Sequence, residues 1–99
     1  MLFRHGDVLI KSINEIPRGA KKISTNIIVR GEITGHAHQI VEDSGVQLYR
    51  DSDFIYIEVS GNNATIIHEE HKPIKLRRGK YKTWVQREYT PEKIERVQD

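Results

Sequence analysis

Residues 54–60 read FIYIEVS, with Ile55, Ile57 and Val59 alternating with Tyr56, Glu58 and Ser60. A period of two marks a strand with one buried face, and no helix carries it. The same period recurs on both sides. Upstream, DVLIKSI (7–13) and STNIIVR (24–30) are rich in β-branched residues, and EIPRGAKK between them holds Pro17 and Gly19 for a turn. HAHQIV (36–41) and VQLYR (46–50) flank EDSG, a hairpin signal. DSD and GNN bracket FIYIEVS, ATIIH follows, and after Pro73 come IKL, a turn at RRG, and KYKTWVQRE. About eight short strands with regular turn signals predict an all-β chain, a small barrel or jelly-roll sandwich. The tail departs from the pattern. Thr90 caps, Pro91 suits a first helical position, and Ile94 and Val97 lie on one stripe, so a short C-terminal helix is expected.

The 99 residues are read as a single β domain, 1–99. With 36% apolar and 30% charged residues the composition is globular, and no apolar run approaches the ~18 residues of a membrane span. A cytoplasmic protein with no membrane partner is expected. The absence of cysteine excludes disulfides and thiolate metal sites, so any metal must be held by His, Asp or Glu. With so small a core and strand edges to cover, a homodimer is expected. The segment from His71 to Arg87 is dense in Lys and Arg and has no acid. It is either a nucleic-acid footprint or a set of charges guarding a sheet edge.

Four of the five histidines fall in two short segments, GHAH and HEEH. On a strand, His36 and His38 project to one face with Ile40, roughly 6 to 7 Å apart at their bases, a spacing that lets two imidazoles converge on one ion. Glu42 is in phase with them if the strand continues, and would then complete a set suited to zinc, iron, manganese or nickel. HEEH is not the zinc-protease motif, because its histidines are three apart and precede a proline. If the chain stays extended there, His68 and His71 face opposite ways and His68 is the better candidate; a tight turn at Glu69 and Glu70 would bring both round. In WVQREY, Gln86 shares a face with Trp84, and Arg87 beside Tyr89 can clamp a phosphate or carboxylate.

The order Gly31, His36, His38, Glu42 resembles the first motif of the cupin family, a Gly followed by His-x-His and then Glu. Residues 31 to 86 resemble the middle of a cupin as a whole. Gln86 stands where the family has a third metal histidine, and no Pro-x-Gly precedes it. The resemblance implies a double-stranded β-helix and a divalent-metal site in a family of dioxygenases, isomerases and plain binding proteins.

Three functions are open to these residues. In the first, His36, His38, Glu42 and His68 hold a divalent metal and Gln86 orients water or a small polar substrate. In the second, His36, His38 and His68 transfer protons in metal-free cleavage of RNA or a cyclic oligonucleotide, with Arg87 or Lys82 on the phosphate. In the third, the chain is a non-enzymatic module that binds through its basic face. The first two place His36 and His38 in a concave, partly buried pocket with His68 or Gln86 in reach of the same point.

Overall fold

The structure, a computed structural model, describes residues 2–30 and 37–85. It is all-β, with eight strands and, among the described residues, no helix. The strands are β1 (Leu2–His5), β2 (Val8–Ile13), β3 (Lys21–Ile23), β4 (Ile27–Arg30), β5 (Ala37–Ile40), β6 (Val46–Asp51), β7 (Phe54–His68) and β8 (His71–Val85). All pairings are antiparallel, in the order β1-β2-β8-β7-β5-β4, with β6 also on β7 and β3 on β6. The sheet curls into a half-barrel. The expected C-terminal helix lies outside the described residues.

The strand count agrees with expectation, but its composition does not. GNN and RRG are not turns: β7 runs unbroken through the first and β8 through the second. The two segments face each other in one long hairpin, where Val59 pairs with Gly79 and the next pairing is Asn63 with Arg77. Three residues of β7 therefore oppose one of β8, a bulge that bends the ribbon. At the bend Gly45, at φ +78°, packs so closely on Gly61 that a Cβ on Gly45 would lie 3.1 Å from the Gly61 Cα. The carbonyl of Gly45 accepts the N–H groups of Ser60 and Gly61. The long edge of β7 changes neighbour here, from β6 on residues 54–59 to β5 on Ile66 and Ile67.

This bend closes the curl. A straight strand from Lys72 to Val85 would span roughly 43 Å at ~3.3 Å per residue. Yet Val85 pairs with Val8, Val8 pairs with His5, and the His5 ring donates to the Lys72 carbonyl. Both ends of β8 thus reach the same β1–β2 turn. The concave face is filled by Ile10, Ile40, Ile57, Ile66 and Leu76, each at most 1% exposed, with Tyr81 packed among them. Each such aliphatic side chain contributes about 1.5 to 3 kcal/mol of transfer free energy.

Thr83 is a polar member of this interior, wholly buried, with its hydroxyl donating to the Ile55 carbonyl at 2.9 Å. Thr83→Val keeps the volume but removes the donor. Urea unfolding should show a loss of about 1 kcal/mol; unchanged stability would mean that this hydroxyl contributes nothing beyond its shape.

Candidate functional site

The β1–β2 turn is Gly6-Asp7, a two-residue hairpin loop whose first residue has φ +65°. Glycine at that position is the signature of a type II′ turn, whose twist matches the strands it joins. The β7–β8 turn is Glu69-Glu70, and it pairs His68 with His71. That tight turn, the alternative raised by the sequence, brings both histidines round. β5 enters beside β7 and carries His38 and Ile40 on its inner face, 4% and 1% exposed.

Three separate elements therefore place four imidazoles together: His5 from β1, His38 from β5, and His68 and His71 from the β7–β8 tip. Ring centroids are 4.3 Å apart for His38 and His68, 4.8 Å for His68 and His71, and 5.0 Å for His5 and His38. His71 packs on the backbone of Gly6 so tightly that an added Cβ would fall 2.6 Å from its Nε2. Gly6→Ala is expected to destabilise the fold by about 1 to 2 kcal/mol from the left-handed backbone alone, and to push His71 out of the cluster. The thermal midpoint together with the His71 ring resonances in NMR would show both effects; a variant with both unchanged would refute this packing role.

Hydrogen bonds fix the tautomers. A carbonyl only accepts, so His5 Nε2 donates to Lys72 O at 2.9 Å. In neutral His5 the other nitrogen, Nδ1, is then an acceptor, and it receives the proton of His38 Nδ1 at 2.9 Å. The lone pair of His38 is left on Nε2, 3.7 Å from a carboxylate oxygen of the exposed Asp7. Burial first, and then the nearby His68 and His5, hold the His38 imidazole at about 4 against an ordinary 6.5, with Asp7 pulling weakly the other way. His38 is neutral at pH 7. His68 Nδ1 accepts the N–H of Glu70 at 3.0 Å, and Glu69 accepts from the N–H of Ala37 at 3.4 Å. The Glu69 carboxylate thus holds the start of β5, and the Glu70 N–H holds the His68 ring.

Of the residues singled out by sequence, His38 and His68 meet. Glu42 is elsewhere: its two carboxylate oxygens accept the N–H and hydroxyl of Thr65 at 2.7 and 2.8 Å. Its phase with His38 does not survive because β5 ends at Ile40. Burial raises its pKa, but the Thr65 hydrogen bonds and Lys75 outweigh this and leave it below the ordinary value. Lys82 sits over the Phe54 ring at 3.9 Å, held on the outer face rather than among the histidines. His36, Gln86 and Arg87 lie outside the described residues. His5 and His71 complete the group; His5 was overlooked. The sequence did contain a signal for it, since His5-Gly6-Asp7 ahead of VLI is a hairpin turn that sets a histidine at its shoulder.

As the rings stand, no three His, Asp or Glu groups among the described residues are arranged to hold one ion. The arrangement does supply buried neutral imidazole and an oriented partner for it. A family model described as Domain of unknown function (DUF8820) matches residues 4–86. The chain belongs to this family. The matched span starts one residue before His5 and includes all four clustered histidines and both turns. No curated protein and no solved structure matches the chain. No helix among the described residues is long and apolar enough to cross a membrane.

Proposed function

We propose that the four-histidine cluster binds a divalent transition-metal ion, zinc, iron, manganese or nickel, and uses it to polarise a small polar substrate. The observation that carries this reading is the setting of His5. A metal-bound imidazole characteristically donates its other N–H to a backbone carbonyl or carboxylate. His5 does so to Lys72, which leaves Nδ1 facing His38 Nδ1 at 2.9 Å. Two nitrogens bound to one ion at 2.0–2.1 Å are roughly 2.9 Å apart at a right angle and roughly 3.4 Å apart in a tetrahedron. An ion can therefore replace the shared proton with little movement of either ring, and the Nε2–H of His38 would then face Asp7.

His68 and His71 supply the third and fourth donors after their rings turn, His68 by releasing the Glu70 N–H. The cupin-like chemistry expected from GHAH is thereby proposed with a different ligand set, His5, His38, His68 and His71, and without Glu42. The ion would act as a Lewis acid toward an oxygen of the substrate. Protein treated with chelator, dialysed and titrated with each metal should take up one equivalent by elemental analysis. No uptake of any of the four metals overturns the reading.

A second reading has one observation in its favour: His38 is held as the free base beside two further imidazoles, as general-base cleavage of a phosphodiester needs. Cleavage of RNA or cyclic oligonucleotides that persists in EDTA and disappears in His38→Ala would favour it over the metal.

A further inference from the structure

The side of the sheet turned away from the core carries a second pattern. Its rows follow from the register. Phe3 packs toward the core, so Arg4 faces outward, and it pairs with Leu9, which pairs with Trp84. The next row is Lys11, Lys82, Tyr56 and Tyr49, and the one after that holds Lys80 and Glu58. Lys82 Nζ lies 3.9 Å from the centroid of Phe54 and 5.9 Å from that of Trp84, so cation and ring faces are interleaved. Leu9 and Tyr56 are buried between these side chains, while Trp84, Phe54 and Lys82 stay partly exposed and Lys11 is exposed. Two acids share this face: Glu58, which accepts the Tyr49 hydroxyl at 2.8 Å, and Asp51 at its edge, which pairs with Phe54.

Arg4 adds a separate observation. Its Nη1 is buried and, among the described residues, has no hydrogen-bond partner. A buried guanidinium N–H without an acceptor is costly, and turning outward onto an anion laid across this face would satisfy it.

We propose that this outer face binds single-stranded nucleic acid, with bases stacked on Trp84 and Phe54 and phosphates on Lys11, Lys82, Lys80 and Arg4. An acidic peptide would answer the cations but leave the ring faces unused. Paired bases in a duplex are stacked on one another and offer none to Trp84. A single strand presents both its charges and the flat faces of its bases, which stack on exposed aromatic rings whatever their sequence. The inference is independent of what the histidines hold, because this face is built from β1, β2, β8, β7 and β6 on the side opposite the core.

Trp84 is the chain's only tryptophan and reports directly on the site. Titrating the full chain with a uridine oligonucleotide at low salt should quench its emission in a saturable way. Affinity should fall with salt with a logarithmic slope of roughly −2 if about three phosphates are neutralised. The K11E/K82E double variant should bind at least tenfold more weakly while keeping the parent's thermal midpoint, and EDTA should change nothing. A variant with a lowered midpoint is replaced by Lys11→Gln with Lys82→Gln, for which weaker binding is again expected. The proposal is overturned by an unchanged Trp84 emission, by affinity unaltered in the charge variants, or by equal affinity for duplex RNA or heparin. Loss of metal uptake with binding retained would end the metal reading and leave this one standing.

Discussion

His38→Ala protein should take up no stoichiometric zinc, iron, manganese or nickel under conditions in which the parent binds one equivalent. The reason is positional. His38 is one of the two buried members of the cluster, at 4% exposed beside 3% for His5, its ring lies within 4.3 to 5.9 Å of the other three by centroid, and its Nδ1 faces His5 Nδ1. Losing a partner that merely orients a ligand costs 10- to 100-fold in affinity; losing a central ligand should exceed that. Folding serves as the internal control, because the histidine-to-alanine change removes a side chain at the mouth of the half-barrel and leaves Ile40 and Ile66 packed. Asp7→Asn is the graded companion, with a 10- to 100-fold loss if Asp7 accepts from metal-bound His38. A His38→Ala protein that still binds one metal with the parent's affinity would remove the cluster from consideration as the site.

Acid should destabilise the metal-free protein well before its carboxylates titrate. The His38 imidazole is held at about 4 in the fold, whereas in the unfolded chain it returns to 6.5. Between those values the unfolded state binds the extra proton, so stability rises with pH across the window. Worked from the top, His38 contributes its full stabilisation above pH 6.5 and loses it progressively as pH falls to about 4. The gap between 6.5 and about 4, at roughly 1.4 kcal/mol per pH unit, is on the order of 3 kcal/mol. Urea unfolding in EDTA at steps from pH 7 to pH 4 measures it. Glu42 acts lower: its pKa is depressed in the fold, so its contribution is present above 4.5 and is lost as pH falls through its folded value. His38→Ala should therefore flatten the curve between pH 6.5 and 4.5 and leave the decline below that. A parent protein equally stable at pH 7 and pH 4.5 would contradict the buried, neutral state of His38.

The all-β architecture was legible in the sequence because it rests on local chemistry. Alternation in FIYIEVS, β-branched residues in VLIKSI and NIIV, and glycine at the bends each act within a few residues. The spacing of His36 and His38 and the basic character of β8 were also local readings, whereas the turn at Glu69-Glu70 stood beside an extended alternative that sends His68 and His71 to opposite faces. What local readings could not distinguish was a turn from a bulge, since Gly61 and Gly79 satisfy either. That choice depends on Gly45 packing on Gly61 from a strand pair away and on Arg77 opposing Asn63 across the hairpin.

The same bend determined the site. His5 and Lys72 are 67 residues apart in the chain, and only a ribbon curled through its bulge brings His5 Nε2 to the Lys72 carbonyl. His5 had no neighbouring histidine to mark it, and Glu42 had the right phase but met Thr65 first. Residue type and spacing thus determined which groups this chain can bring to chemistry. Closure of the sheet decided which of them meet, because the distance between side chains from different strands is set by curvature and register rather than by position in the chain.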